Sequence, residues 1–117
     1  MNKITIWHNP RCSKSRNAVN LLEEKGIEAE VIQYLDTPPS KEEIKKVLKI
    51  LNISAQELMR NKETIYKELG LKDIKDEERL IEMMAKYPKL IERPIVIKGG
   101  KAAIGRPIEK IIELLDS

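Results

Sequence analysis

Residues 3–35 read KITIWHNPRCSKSRNAVNLLEEKGIEAEVIQYL. The first five, KITIW, alternate polar and apolar side chains and carry β-branched residues, which predicts a strand. Pro10 breaks any continuation. From Ser15 to Lys25, SRNAVNLLEEK gathers Ala18, Val19, Leu21 and Leu22 on one helical face, and Gly26 suits the C-cap. Residues 30–35, EVIQYL, predict a second strand. Strand, helix and strand with short links make a βαβ unit, which implies parallel strands.

The pattern then changes. Asp36-Thr37-Pro38-Pro39 is a break, and Ser40 with Glu43 forms a capping box for a helix bearing Ile44, Val47, Leu48 and Leu51. Ser54 with Glu57 repeats the device for a shorter helix, SAQELMRN, and IYKEL before Gly70 predicts one further helical turn. Residues 76–86, DEERLIEMMAK, predict another helix. Near the end, PIVIK (94–98) and KAAI (101–104) flank Gly99-Gly100, a hairpin signal. Pro107 suits the first turn of a last helix, IEKIIELLDS. The order is βαβ, a helical block, then ββα. This is an α/β chain with a thioredoxin-like fold, a four-stranded mixed sheet with a helical block inserted at about residues 40–90. The length, 117 residues, fits a single domain over 1–117.

Composition narrows the function. Hydrophobic residues make up 41% and charged ones 35%, so the chain is neither membrane-like nor disordered by composition. No apolar run approaches the roughly 18 residues needed to cross a bilayer. The N-terminus lacks the features of a signal peptide, so a soluble, cytoplasmic protein is expected. Net charge is only +3, and the lysines interleave with glutamates as in KEEIKKVLK, a solvated helix face and not a nucleic-acid footprint. With no Phe, one Trp and three Tyr, an aromatic platform for base stacking is missing as well. One cysteine and one histidine exclude an internal disulfide, a thiolate zinc site and a His-pair metal motif. No metal and no bound cofactor are expected.

That single cysteine sits in HNPRCSKSR, residues 8–16, the most basic nine residues of the chain. A lone cysteine is most often a small buried hydrophobe. Cys12, however, has no aliphatic or aromatic neighbour within three residues on either side. In the βαβ reading it lies between the first strand and the first helix. The unpaired amides at a helix N-terminus favour an anion there, so the position favours a thiolate. Arg11, Lys14 and Arg16 add positive charge. His8 can act as a cation or a hydrogen-bond donor, and Ser13 and Ser15 offer hydroxyls. The same features suit a tetrahedral oxyanion, and sulfur beside such an ion suggests attack on its central atom.

Two arginines precede prolines: Arg93 before Pro94 at the third strand, and Arg106 before Pro107 at the last helix. In a thioredoxin-like fold a proline opening the third strand sits opposite the cysteine loop and is commonly cis, which would direct Arg93 towards Cys12. Arg60 closes a helix of the inserted block. Three arginines converging on one oxyanion would offer bidentate geometry that lysine lacks. For Arg60 the plain alternative is a favourable charge at a helix C-terminus.

HNPRCSKSR, YLDTPP, ELMR, ERPIV and the closing GRP together resemble the glutaredoxin-coupled arsenate reductases, within the wider ArsC/Spx family. The resemblance runs in order over essentially the whole chain. It implies reduction of arsenate to arsenite, with Cys12 as the nucleophile that forms a thiol–arsenate adduct. It implies that glutathione, a co-substrate, attacks the adduct and that glutaredoxin recycles the mixed disulfide. The oxyanion-binding arginines fall on Arg60, Arg93 and Arg106. His8 matches a histidine that helps ionise the thiol, and Ser15 a serine that supports the thiolate. The loop departs from the family form in being more basic at Arg11 and Lys14. The protein is expected to be a monomer with neither nucleic-acid nor membrane partners.

Other readings are weaker. Regulators of the Spx type bind RNA polymerase and usually carry Cys-x-x-Cys, where this chain has Ser15 as the fourth residue. A glutathione-dependent thiol reductase of unassigned substrate shares every feature of the loop. The phosphatase-like reductases need Cys-x5-Arg, and position 18 is Ala18. A monothiol glutaredoxin leaves the helical block and the three arginines without a role.

Overall fold

In a computed structural model, residues 3–105 and 108–116 are described. Two compact units emerge, Met1–Thr37 with Arg93–Ser117, and Pro38–Glu92.

The first unit carries the sheet. Strands β1 (Ile4–Trp7), β2 (Ala29–Ile32), β3 (Ile95–Lys98) and β4 (Lys101–Ile104) lie in the order β2-β1-β3-β4. β1 is parallel to β2 and antiparallel to β3, and β3 is antiparallel to β4. With helices α1 (Ser13–Glu24) and α6 (Glu109–Asp116), this is the thioredoxin-like arrangement. Because strand side chains alternate, Ile4 and Ile6 share one face of β1. They join Val96, Ala103, Ala18, Leu22, Ile111 and Leu114 in one buried cluster, so α1 and α6 pack on that face. Burial of each large aliphatic side chain contributes about 1.5–3 kcal/mol. The exposed Lys3–Glu30 ion pair between β1 and β2 adds at most about 1 kcal/mol. The core, not surface charge, holds the sheet.

The second unit is the inserted helical block. It comprises α2 (Lys41–Leu51), α3 (Ala55–Leu58), α4 (Thr64–Glu68) and α5 (Glu77–Lys86), with 3-10 turns at Leu71–Asp73 and Pro88–Leu90. Both expected capping boxes form, Ser40 with Glu43 and Ser54 with Glu57. Ile44, Val47, Leu48, Leu58, Leu80, Ile81, Met84 and Leu90 are buried. Gln56 ties the short elements together: its Nε2 donates to Leu71 O at 2.6 Å, and its Oε1 accepts from the Tyr66 hydroxyl at 2.7 Å.

Boundaries shift where backbone bonding overrides the side-chain pattern. α1 begins two residues before Ser15, which makes Cys12 its N-cap. β2 stops at Ile32 because the amides of Asp36 and Thr37 turn back to Gln33 O, at 3.0 and 2.9 Å. The SAQELMRN helix ends at Leu58. Met59 is extended and bridges Ile91, a long-range pairing that a local periodicity cannot reveal. β3 starts at Ile95, since Pro94 has no amide hydrogen to donate. The Arg93–Pro94 peptide bond is cis, as expected from the position of the proline.

Gly105 follows β4, and its amide donates to Pro94 O at 2.8 Å. A Cβ there would lie 2.5 Å from Ile111 Cδ1 and 2.7 Å from Pro94 Cγ. The isoleucine tip can move, but the proline ring has little room. Gly105→Ala should therefore cost about 1–3 kcal/mol by overpacking. Urea denaturation would show a lower midpoint at unchanged slope; an unchanged midpoint would mean that the ring shifts freely.

Candidate active site

The sheet register brings the pieces of the first unit to one end. Trp7, the last residue of β1, pairs with Ile32 at the end of β2 and with Ile95 at the start of β3. Ile95 in turn pairs with Ile104, the last residue of β4. The His8–Cys12 loop, the Arg93–Pro94 bond and Gly105 therefore leave the sheet at the same end. It is the carboxyl end of the parallel strands, where open α/β sheets bind ligands.

The loop is tied down by named bonds. Asn9 begins a turn: its Oδ1 accepts from the Arg11 amide at 3.0 Å, and its carbonyl accepts from the Cys12 amide at 3.0 Å. Pro10 occupies the second turn position, where its fixed φ fits. Arg16 Nη1 donates to Pro10 O at 2.9 Å, strapping the helix to the loop. Ser15 is fully buried, and its Oγ accepts from the Asn9 amide at 3.0 Å. The same oxygen shares a 2.6 Å hydrogen bond with His8 Nδ1. His8 is 8% exposed, and its amide donates to Ile32 O at 2.8 Å.

Cys12 emerges from this frame half-buried, with extended backbone, as the N-cap of α1. Its side chain makes no capping bond, and the first turn of α1 holds no acidic residue. No carboxylate of that turn therefore offsets the positive end of the helix. Arg11, Lys14 and Arg16 are exposed around it. Lys14 also lines an open cavity of about 250 Å³ with Asn17, Gly105, Ile108 and Glu109. His8 behaves differently from these cations. Burial, and secondarily the Arg16 charge, push its pKa below the ordinary 6.5. At neutral pH it is an uncharged imidazole, so of the two roles open to it the cationic one is disfavoured.

The Arg93 guanidinium belongs to the first unit, with its Nε and Nη1 atoms buried. Arg106 lies outside the described residues. Arg60 belongs to the second unit. There its Nη1 is 3.1 Å from Glu63 Oε1 and its Nε 3.8 Å from Glu92 Oε1. Sequence reasoning missed both glutamates and Asn9. Asn-Pro is a recognised turn opener, so Asn9 carried a usable signal. Glu63, three residues from Arg60, carried a weaker one, and Glu92 none. Among the described residues no group of three or more His, Cys, Asp or Glu is placed to hold a metal, and no helix is long and apolar enough to cross a membrane.

A family model described as the ArsC family matches residues 7–114. The chain belongs to the ArsC family. An Escherichia coli (strain K12) relative of this ArsC protein, named uncharacterized protein YfgD, is 54% identical over 115 residues, covering 97% of each chain. A protein of Neisseria meningitidis serogroup B named arsenate reductase is 53% identical over 117 residues, covering 98% of this chain and all of that one. Among solved structures, an arsenate reductase from Vibrio cholerae superposes with a TM-score of 0.92 at 47% identity, over 96% of this chain and 97% of the other.

The depressed His8 pKa has a consequence for stability. The unfolded chain takes up its histidine proton near pH 6.5, and the folded chain only at lower pH, so stability is lost as pH falls from 6.5 through the folded value. His8 is the sole histidine. The wild-type thermal midpoint should fall between pH 7 and pH 5.5, whereas that of His8→Asn should start lower and stay level over this window. A level wild-type profile would show that burial does not shift His8.

Proposed function

We propose that this ArsC protein reduces arsenate to arsenite, with Cys12 as nucleophile, glutathione as co-substrate and glutaredoxin as recycling partner. The observation that carries the reading is Cys12 itself: a half-buried residue at the N-cap of α1, with exposed Arg11, Lys14 and Arg16 close by in sequence, at the carboxyl end of the parallel strands. A relative at 53% identity bears the name arsenate reductase, which supports this choice of oxyanion.

The thiolate attacks arsenic, and an arsenate oxygen leaves as water, giving a Cys12–S–As(V) adduct. Glutathione sulfur then attacks Cys12 Sγ. A sulfur–sulfur bond forms, the S–As bond breaks, and its electron pair stays on arsenic, which leaves as As(III). Two thiols have become one disulfide, and one arsenic has gained two electrons. A glutaredoxin thiol attacks the mixed disulfide on the glutathione sulfur, restoring Cys12. In this scheme the helix terminus and exposed cations attract the oxyanion towards Cys12, while neutral His8, held by Ser15, acts through hydrogen bonding.

Arg60, Arg93 and Arg106 bind the oxyanion in this reading. For Arg60 and Arg106 the support is the family resemblance alone. For Arg93 there is also its position beside Pro94 at the cysteine end of the sheet. Residues 1–117 act as a single ArsC-type domain, in keeping with a family match that runs through both units. The protein works in the cytoplasm as a monomer.

A second reading keeps the chemistry and changes the substrate. The basic residues Arg11 and Lys14 depart from the family form, and this departure is what favours a glutathione-dependent thiol reductase of unassigned substrate. A switch of the Spx type is less favoured, because a fully buried serine bonded to His8 occupies the place of its second thiol.

The test is arsenate-dependent NADPH oxidation with glutathione, glutaredoxin and glutathione reductase. Wild type should turn over, and Cys12→Ser should not. Arg60→Ala, Arg93→Ala and Arg106→Ala should each lower kcat/KM for arsenate by on the order of 30-fold or more, the scale of truncating one partner of a desolvated charge pair. A reduced, alkylatable Cys12 without arsenate turnover would discard arsenate as substrate, and mixed disulfides would then be assayed.

A further inference from the structure

We propose that Glu63 and Glu92 compete with the oxyanion for the Arg60 guanidinium, and so set how tightly the oxyanion binds. This rests on the oxyanion role of Arg60 proposed above.

Arg60 is held by both backbone and charge. Residues 58–60 run antiparallel to residues 90–92: the Arg60 amide donates to Leu90 O at 2.7 Å, and the Glu92 amide donates to Leu58 O at 2.9 Å. This ladder fixes Glu92 beside Arg60. Glu63 is fixed from the other side, as the residue capping α4, with its amide donating to Arg60 O at 3.2 Å. The two carboxylates meet the guanidinium at Nη1 and at Nε, 3.1 and 3.8 Å away. All three side chains are only 22–26% exposed.

Two carboxylates thus face one guanidinium. A guanidinium has five N–H donors and no acceptor, and a carboxylate offers the same kind of oxygen as an arsenate. An oxyanion reaching Nε and Nη1 must therefore displace a glutamate or bind close against it. Either course opposes binding, and more strongly for a dianion than for a monoanion. The glutamates hold Arg60 in place at rest and act on the ligand only through it, which makes them positioning residues. Replacing either by glutamine keeps the size and one acceptor oxygen but removes the opposing charge.

The experiment is calorimetric titration of the full chain with sodium arsenate and with inorganic phosphate. Cys12→Ser serves as the parent, so that no covalent step intervenes. Glu63→Gln and Glu92→Gln, made separately and checked for folding by thermal midpoint, should each lower Kd for both anions by roughly three- to tenfold, a screened like-charge effect at partly exposed groups. Adding Arg60→Ala should abolish the gain. In the coupled assay, with Cys12 intact, KM for arsenate should fall in parallel while kcat stays within about twofold. An unchanged or raised Kd in both glutamine variants would overturn the proposal and leave the oxyanion reading standing. A gain that survives Arg60→Ala would also overturn it. No arsenate binding by the parent or any variant would discard the oxyanion reading and this proposal together.

Discussion

One buried oxygen fixes the cysteine loop. Ser15 Oγ sits in the first turn of α1, accepts from the Asn9 amide and shares a hydrogen bond with His8 Nδ1. It joins the end of a strand, the middle of a loop and the start of a helix at a single atom. Without it two polar groups would lose their partner, at about 1–3 kcal/mol for each one left buried. A backbone turn alone, Asn9 to Cys12, leaves the loop free to pivot about its ends. The serine closes the frame from inside and so determines where the N-cap of α1 falls. The position of Cys12 is the consequence: its amide is held by the Asn9 carbonyl, and it caps the helix that Ser15 anchors.

The frame also separates two kinds of electrostatics. His8 is buried and uncharged at neutral pH, so it contributes orientation and hydrogen bonding rather than field. The positive field comes from the helix terminus and from Arg11, Lys14 and Arg16, which are exposed. Exposed charges are screened over about 10 Å at 0.1 M salt, whereas hydrogen bonds within the frame are not. An anion drawn to this loop therefore feels a salt-dependent attraction on approach and a salt-independent geometry on arrival. Arg16 serves both, since its charge helps keep His8 neutral while its Nη1 holds the Pro10 carbonyl.

Much of this was legible in the sequence. Alternation in KITIW, the apolar face of SRNAVNLLEEK and the capping serines are local signals, and each produced the element it predicts. The order of elements then left few topologies, because a βαβ unit followed by a hairpin and a helix closes into one mixed sheet. Illegible features came from long-range pairing. Met59 sits in a helical pattern but is extended, because its backbone meets Ile91 across 32 positions. Ser15 read as a hydroxyl near sulfur; that it is the buried anchor of His8 depends on the helix starting at Ser13, two residues earlier than the periodicity indicated. The partners of Arg60 were hidden for the same reason, since Glu92 is near it only through the 58–60 and 90–92 ladder.

Arg60 and Arg93 show two answers to one physical problem. A guanidinium cannot shed its charge in a protein, so taking it from water demands compensation. Around Arg60 the compensation is explicit, the carboxylates of Glu63 and Glu92, in a setting still about a quarter exposed. Arg93 has its Nε and Nη1 buried, and it precedes a proline at the carboxyl end of the parallel strands. Neighbouring carboxylates weaken a guanidinium's attraction for a further anion, whereas burial strengthens every interaction the buried group makes. Two arginines of identical chemistry thus sit in different surroundings. Counting arginines in a sequence cannot reveal that difference; the carboxylates and the depth around each one can.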